Sequence, residues 1–160
     1  MGAEMISLRD YREDDLEEMT RVDDLCFAAD FRFDQVSMSA FAEARNAEAV
    51  VAETAEKEMA GFVIAHLGQR DGVRRGYLVT LDVLPQYRRG GLGARLIGEM
   101  EQRMLARGAQ WMDLHVFTGN DGAVRFYEQL GYERVGREER FYGDVGLDAF
   151  VYRKKLSVSQ

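Results

Sequence analysis

The chain has 160 residues, of which 46% are hydrophobic, and its 21 Lys and Arg residues against 28 Asp and Glu residues give a formal net charge of −7. This length and composition exclude a disordered chain and predict one folded domain over residues 1–160. A single cysteine excludes an internal disulfide bond and a cysteine-based zinc site, two histidines argue against a histidine-rich metal centre, and the acidic charge argues against nucleic acid as a partner.

The first half of the chain is predicted to form a strand, two helices and an antiparallel hairpin, from hydrophobic periodicity and turn signals. In this order, the elements lie at residues 5–8, 14–27, 38–45, 49–54 and 59–67. Asp14 and Glu17 have the spacing of a capping pair at the start of the first helix. The aromatic stretch over residues 27–34 is predicted as an ordered loop that leads into the second helix.

The second half is predicted to alternate strands with helices and to end in another hairpin. The elements are a strand over 77–84, a helix from Leu92 to a cap at Gly108, a strand over 112–117, a helix from Asn120 to Gly131, and hairpin strands over 132–142 and 148–156. Strand–helix–strand passages need parallel or crossover connections, whereas hairpins need antiparallel ones. The order therefore predicts an α/β (α+β) fold around a mixed sheet.

A glycine-rich stretch over residues 87–95 joins a predicted strand to a predicted helix. Glycines let successive backbone N–H groups converge, and a helix N-terminus adds roughly half a positive charge, so the stretch is suited to bind a phosphate group. A P-loop is excluded because Gly93-Ala-Arg95 stands where Gly-Lys-Ser/Thr is required. Leu96 argues against a dinucleotide fingerprint, although Asp113 has the spacing of its ribose-binding acid. A glycine-rich turn without a ligand stays an alternative.

Two motifs in this half carry a resemblance to a known family. Residues 88–93 read Arg-Arg-Gly-Gly-Leu-Gly, and residues 120–131 follow the pattern Asn-x-x-Ala-x-x-Phe-Tyr-x-x-x-Gly. Both are similar, in order and spacing, to motifs of the GCN5-related N-acetyltransferase family, whose first signature is Arg/Gln-x-x-Gly-x-Gly/Ala. The resemblance extends over residues 6–156. It implies a mixed six- or seven-stranded sheet, splayed at its centre and flanked by about four helices, with acetyl-CoA as the cofactor.

The resemblance also implies which residues bind acetyl-CoA. The pyrophosphate would lie on the backbone amides of residues 88–94, and the pantetheine arm would follow the free edge of the strand at residues 81–83. Backbone N–H groups at a strand bulge near Leu81 would polarise the thioester carbonyl. The implied cofactor-binding residues are Leu81, Asp82, Val83, Arg88, Arg89, Gly90, Gly91, Leu92, Gly93, Ala94, Asn120 and Tyr127.

Within the family, three segments are most similar to the protein N-terminal acetyltransferases, including those that act on ribosomal proteins and the branch that acetylates peptides beginning with Met. They are Tyr-Leu-Val-Thr-Leu at 77–81, Tyr-Arg-Arg at 87–89 and Leu-His-Val at 114–116. The implied acceptor is a peptide or protein N-terminus. The implied walls of its site are Phe27, Phe31, Val79, Phe141 and Tyr142. Ala28 stands where that branch tends to have Pro, and Phe31 and Phe141 stand where Tyr is expected, so the accepted peptide stays open.

The same match gives catalytic roles to Tyr77, His115 and Tyr127. The attacking amine must be neutral, yet the ordinary pKa is about 8 for an α-amine and about 10.4 for a lysine. His115 would take the amine proton directly or through a water held by Tyr77, and Tyr127 would protonate the departing thiolate. On sequence pattern alone, each of the three is also explained as a packing residue.

Two other functions stay open from the sequence. In the first, the chain is an acetyltransferase whose acceptor is a small amine, such as a polyamine, an amino acid or an aminoglycoside. In the second, the chain is a non-catalytic sensor that binds acyl-CoA. No apolar run approaches the roughly 20 residues of a membrane-spanning helix, and the first residues lack the basic and apolar segments of a signal peptide. We therefore expect a cytoplasmic monomer or homodimer with no membrane partner and no metal.

Overall fold

The structure is a computed structural model that describes residues 5–143 and 145–157, so residues 1–4, 144 and 158–160 of the predicted domain lie outside it. Within the described part, the chain forms a seven-stranded sheet in the order β1-β2-β3-β4-β5-β7-β6. The strands are β1 (Ile6–Asp10), β2 (Ala47–Thr54), β3 (Met59–Arg70), β4 (Val73–Val83), β5 (Trp111–Phe117), β6 (Glu133–Tyr142) and β7 (Leu147–Lys155). The helices are α1 (Leu16–Cys26), α2 (Gln35–Ala42), α3 (Leu92–Ala106) and α4 (Asp121–Gln129). The mixed sheet with flanking helices confirms the predicted fold class.

The two middle strands of the sheet separate along their length. β4 pairs with β5 in parallel only where residues 75–77 meet residues 111–113. Beyond that point β5 pairs with β7 as far as Phe117, while residues 78–83 of β4 pair, among the described strands, with β3 alone. The predicted splay is confirmed, and it leaves one edge of β4 open over this stretch.

A bulge in β4 changes the direction of its side chains next to the splay. Ile64 of β3 pairs with Thr80 and the next residue pairs with Leu78, so Val79 is the extra residue. Leu78 and Leu81 consequently pack into the same core, although residues three apart in a regular strand point to opposite faces. The predicted bulge near Leu81 is present and lies two residues earlier, at Val79, because the register with β3, which the sequence of β4 does not contain, sets its position.

Two hydrophobic cores lie on opposite faces of the sheet. Alternate residues of β2 show this: Val50 and Ala52 belong to the core beside α3, whereas Val51 belongs to the core beside α1 and α2. On α3, the predicted apolar stripe is confirmed, because its members are all buried in the first core. They are Leu92, Leu96, Met100 and Met104. Of the helices in the described part, none is long and apolar enough to cross a membrane.

The start of α1 differs from the prediction. Residues Glu13–Asp15 form a 3-10 turn, and the α-helix begins at Leu16, so the predicted capping pair of Asp14 and Glu17 is wrong. The reason is that Asp15 caps this turn, since its carboxylate accepts from the Arg12 amide at 2.7 Å and is fixed by the guanidinium of Arg9 at 2.8 Å. Burial raises the pKa of Asp15, but the hydrogen bonds from Arg9 and from the backbone outweigh it and hold that pKa below its usual value.

Two further element boundaries differ from the prediction. α2 begins at Gln35, earlier than predicted, because Asp34 caps it by accepting from the Ser37 amide at 2.7 Å. The predicted polar loop over residues 69–75 is mostly strand, since β3 and β4 continue on either side of a turn at residues 71–72, both with positive φ. Polar residues occupy these strand ends because they are exposed. Tyr77 therefore lies well inside β4 instead of at its start.

Candidate active site

The glycine-rich loop ends at the N-terminus of α3. Gly91, the last residue before the helix, has a φ of +81°, in the left-handed region that favours glycine. The backbone N–H groups of the first helical turn, at residues 92–94, have no acceptor within the helix, and glycine has no side chain that could cap them. These groups and the positive end of the helix dipole suit an anion such as a phosphate.

Contacts on both sides fix this loop in the fold. The Arg88 Nε atom donates to the backbone carbonyl of Val83 at 2.9 Å, which ties the loop to the end of β4. A Cβ atom at Gly93 would lie 3.1 Å from the ring of Phe126, so a glycine there lets α3 approach α4 closely. Arg89 and Gly90 are exposed between these two anchor points.

The open edge of β4 leads from the loop back to Tyr77. Six residue steps of a strand cover about 20 Å. Leu81 and Val83 pack toward the core beside α3, whereas the Asp82 side chain is fully buried and contacts Asp23 of α1. Asp82 therefore presents only its backbone to the splay.

Tyr77 and His115 meet at the far end of that edge, where β4 and β5 begin to separate. The Tyr77 hydroxyl lies 2.8 Å from His115 Nδ1, and His115 Nε2 lies 3.2 Å from Glu138 Oε1 on β6. A carboxylate only accepts, so Nε2 of the neutral ring carries the hydrogen and donates to Glu138, and Nδ1 accepts from Tyr77. Burial is the main cause that raises the pKa of Tyr77 well above its ordinary value, which keeps the phenol protonated.

An aromatic wall, defined as Phe31, Phe117, Phe141 and Tyr142, stands beside this pair. Phe141 stacks on the His115 ring with the centroids 3.9 Å apart. Phe31 contacts Tyr142 edge-on at 4.9 Å and Phe117 at 5.2 Å. Phe141 and Tyr142 contact each other at 5.0 Å, which makes the wall continuous.

The shape of β6 places Phe141 over the histidine. Between the pairs of Glu138 with Ala149 and of Tyr142 with Leu147, β6 contains two more residues than β7. Arg140 in this segment has a φ of +52°, and its amide donates to the Asp148 carboxylate at 2.9 Å. The irregular segment is therefore fixed by a side chain of the neighbouring strand.

Two of the sequence-predicted wall residues lie elsewhere. None of the ring contacts among the described residues includes Phe27, which follows the last residue of α1 and whose carbonyl accepts from Arg32 at 2.8 Å. Val79 packs against the core beside α1 and α2, because the bulge turns it to that face. Phe31, Phe141 and Tyr142 are brought together as the resemblance implies.

Tyr127 lies on α4, and Asn120 is the residue before the first residue of this helix. Tyr127 is 8% exposed, and its hydroxyl has no hydrogen-bond partner within residues 5–143 and 145–157. Burial, with the charge of Asp82 second, raises the pKa of this phenol well above its ordinary value. The Asn120 Oδ1 atom accepts from the Ala123 amide at 3.1 Å, so Asn120 is the N-cap of α4 and presents only its amide N–H groups to a ligand.

Sequence reasoning missed Glu138 and Phe117 as members of this site. Phe117 could have been predicted from the sequence, because strand alternation places it on the same face of β5 as His115. Glu138 gave no signal, because it is one of several charged residues in an exposed strand and its role depends on the register of β6. Of the described residues, no group of three His, Cys, Asp or Glu side chains could hold a metal ion.

Comparisons with known proteins show which family this sequence matches. Residues 8–132 match the family described as "Acetyltransferase (GNAT) family". Over 111 residues, 67% of this chain, the sequence is 32% identical to the N-terminal acetyltransferase A complex catalytic subunit ard1 of Schizosaccharomyces pombe, and the match covers 62% of that protein. The chain therefore spans less than two-thirds of the length of this curated relative.

Two solved structures share the fold. The ribosomal-protein-S18-alanine N-acetyltransferase from Escherichia coli superposes with a TM-score of 0.82 at 22% identity, over 98% of this chain and 97% of that chain. Arabidopsis thaliana NAA60 in complex with acetyl-CoA superposes with a TM-score of 0.83 at 20% identity, over 95% of this chain and 99% of that chain.

Proposed function

The chain belongs to the acetyltransferase (GNAT) family, and on that premise we propose that it transfers an acetyl group from acetyl-CoA to the α-amine of a peptide or protein N-terminus. The observation that carries the proposal is the hydrogen-bonded pair of Tyr77 and His115, which lies where the open edge of β4 ends and the aromatic wall begins. A proton acceptor thus stands between a surface suited to the cofactor and a surface suited to an apolar acceptor.

The residues beside the splay fit acetyl-CoA. The unpaired amides of residues 92–94 are suited to its pyrophosphate, and the open edge of β4 at residues 78–83 offers backbone groups to its extended arm. When bound, the cofactor supplies an acetyl group activated as a thioester. NAA60 of Arabidopsis thaliana, which shares this fold, was solved with acetyl-CoA.

Removal of the amine proton is assigned to Tyr77 and His115. The Tyr77 hydroxyl donates to Nδ1, so the phenol oxygen receives a proton from the amine, directly or through a water, as its own proton passes to the imidazole. The nitrogen–carbon bond then forms as the carbon–sulfur bond breaks, and the nitrogen releases its second proton to water. Tyr127, a buried phenol without a partner in the described residues, gives its proton to the departing sulfur.

Glu138 acts through the histidine as a positioning residue. Its carboxylate accepts from Nε2, which fixes the tautomer that leaves Nδ1 free to receive the proton. Its negative charge also stabilises the imidazolium that forms during the reaction. The side chain is 55% exposed, so water screens this charge and its contribution is modest.

Two features favour an N-terminal peptide over a small polycation. The surface beside His115 is made of four contacting aromatic rings, which suits an apolar first side chain. A polyamine needs several carboxylates, and Glu138, the carboxylate in contact with His115, is already engaged by that ring. The curated relative ard1 is named as the catalytic subunit of an N-terminal acetyltransferase.

A thiol-release assay with acetyl-CoA tests the proposal. The acceptors are peptides that differ in their first two residues, the same peptides with blocked N-termini, and spermidine. We expect release with free N-termini, most with an apolar first residue, none with blocked N-termini, and a mass-spectrometric signature of acetyl on the α-amine. Turnover on spermidine alone supports the small-amine alternative, and tight acetyl-CoA binding without any thiol release supports the sensor; either result overturns the proposal.

A further inference from the structure

Two carboxyl groups lie buried against each other between α1 and β4. Asp23 of α1 and Asp82 of β4 are both 0% exposed, and Asp23 is among the neighbours that raise the pKa of Asp82. One turn after Asp23, the Cys26 thiol donates to the carbonyl of Val83, the residue after Asp82, at 3.3 Å, so α1 packs against this end of β4. Two ionised carboxylates repel strongly in a buried site, where water does not screen their charges. A pair in this position therefore keeps a proton on one of its members.

Each carboxyl group has one oxygen that is satisfied and one that is not. Asp23 Oδ2 accepts from the Phe33 amide at 2.8 Å, and Asp82 Oδ1 accepts from the Thr80 hydroxyl at 2.6 Å. Asp23 Oδ1 and Asp82 Oδ2 are buried and have no hydrogen-bond partner within the described part of the chain. A single proton between the two carboxyl groups satisfies both of these oxygens, whereas their ionised forms leave both unsatisfied.

The groups around the pair are few. Burial and the neighbouring Asp23 raise the pKa of Asp82 well above its ordinary value, and they outweigh Thr80 and the cationic Arg88, which lower it. Cys26 on α1 is held neutral, because burial first and the charge of Asp82 second raise the pKa of its thiol to about 11. Tyr127 on α4, whose pKa burial and the charge of Asp82 raise, is also neutral at physiological pH.

The pair connects the acceptor side of the site to the cofactor side. Asp23 holds the amide of Phe33 at the end of the aromatic loop, defined as residues 27–34. Phe31 of this loop contributes to the aromatic wall, in contact with Tyr142. Asp82 belongs to the stretch of β4 whose edge is open to the splay. The position of the wall relative to the thioester therefore depends on a contact between two side chains that are both buried away from the splay.

We propose that Asp23 and Asp82 share one proton and thereby hold the aromatic loop against β4, as positioning residues for the acceptor. The role in acceptor binding rests on the proposed function, whereas the shared proton does not. An exposed carboxylate next to Asp23, that of Asp24, offers a matched control on the same helix.

The shared proton is tested on the free protein by measuring unfolding in urea between about pH 5 and pH 8. The folded chain keeps a proton that the unfolded chain loses above the ordinary pKa of Asp, about 3.9. Stability is therefore lost as pH rises toward the folded pKa of Asp82, and this proton lowers the folding equilibrium constant about tenfold per pH unit. Asp82→Asn and Asp23→Asn each replace the shared proton with an amide N–H that donates to the remaining carboxylate, so we expect this dependence to disappear in both and to persist in Asp24→Asn.

The infrared carbonyl band of a protonated carboxylic acid gives a second measurement that requires neither unfolding nor activity. We expect the band at neutral pH in the unmodified protein and in Asp24→Asn, and its loss in Asp82→Asn and Asp23→Asn. The absence of this band from the unmodified protein, or a pH dependence of stability that Asp82→Asn leaves unchanged, overturns the shared proton.

The positioning role is tested by the Michaelis constants. Asp23→Ala removes the acceptor of the Phe33 amide, so we expect the KM for the peptide to rise about fivefold while the KM for acetyl-CoA is unchanged. Asp23→Asn keeps an oxygen that accepts from this amide, and its amide N–H donates to the Asp82 carboxylate in place of the shared proton, so it should restore the peptide KM. Equal changes in both constants, or no rescue by Asn, overturn the positioning role. If the unmodified protein acetylates no peptide, the proposed function fails while the stability and infrared results still decide the shared proton.

Discussion

The two sides of the splay are built from different parts of the chain. On the cofactor side, the proposed anion site consists of backbone groups at one strand end and one helix start, within residues 88–94. On the acceptor side, the aromatic wall and the Tyr77–His115–Glu138 contacts are made by side chains from β4, β5, β6 and the aromatic loop. A backbone site tolerates changes in sequence that keep its glycines, whereas a site of converging side chains changes its specificity with each substitution.

Gly91→Glu breaks the cofactor side and carries the largest expected effect. Glutamate is strained at a φ of +81°, and its carboxylate adds negative charge where the pyrophosphate of acetyl-CoA would lie. We expect calorimetry to detect no cofactor binding. Gly98→Ala is the matched control. Gly98 lies inside α3, no atom lies within 4 Å of the position that a Cβ atom would take, and the variant should bind acetyl-CoA normally. Retained binding in Gly91→Glu would move the cofactor away from this loop.

His115→Ala breaks the acceptor side alone. Without the proton acceptor, we expect kcat for peptide acetylation to fall about a hundredfold, with the largest loss at low pH, where the amine is most protonated. Cofactor binding should be unchanged, because the histidine lies at the far end of β4 from the loop. His66→Ala is the control, since His66 is the cross-strand neighbour of Tyr77 but its ring bonds to the carbonyl of Phe41 at 2.8 Å. An unaltered pH–rate profile in His115→Ala would remove this residue as the base.

The two sides that these variants test also differ in how well the sequence predicts them. Local spacing predicted the cofactor side, since the glycines, the strand before them and the stripe of α3 all lie close together in the chain. Tyr77 and His115 were paired only through the family resemblance, and the structure confirms that they touch.

The acceptor side was predicted only in part. Its contacts depend on the register between strands, which the sequence of one strand does not contain. The bulge at Val79 turns that residue away from the wall, and two additional residues in β6 bring Phe141 over His115. Asp23 and Asp82 lie far apart in the chain, and each alone is typical of an exposed surface residue. No periodicity within one element reports such long-range contacts.

Tyr127→Phe sharpens the comparison on the cofactor side. The hydroxyl is assigned to protonate the departing sulfur, but a free thiol has an ordinary pKa of about 8.5 and leaves with little help. We expect kcat to fall about fivefold with both Michaelis constants unchanged. Tyr132→Phe is the comparison variant, because its hydroxyl donates to Glu101 on the far side of α3 at 2.7 Å. If the two variants have the same kcat, Tyr127 is a packing residue.

Glu138→Gln carries the smallest expected effect on the acceptor side. Glutamine keeps an oxygen that accepts from Nε2 but removes the charge that stabilises the imidazolium. The contact is largely exposed, so we expect a decrease in kcat of about threefold, detected by steady-state kinetics. Glu139→Gln, at the next position of β6, should leave kcat unchanged. An equal effect of both variants would show that Glu138 acts only through the general charge of the strand.

A crystal structure with a covalent conjugate of coenzyme A and a Met-initiated peptide tests the central claim most directly. We expect the diphosphate on the amides of residues 92–94, the arm along the open edge of β4, and the peptide α-nitrogen within hydrogen-bond reach of Tyr77, directly or through one water. A diphosphate bound elsewhere, or a peptide nitrogen far from Tyr77 and outside the aromatic wall, would contradict the account.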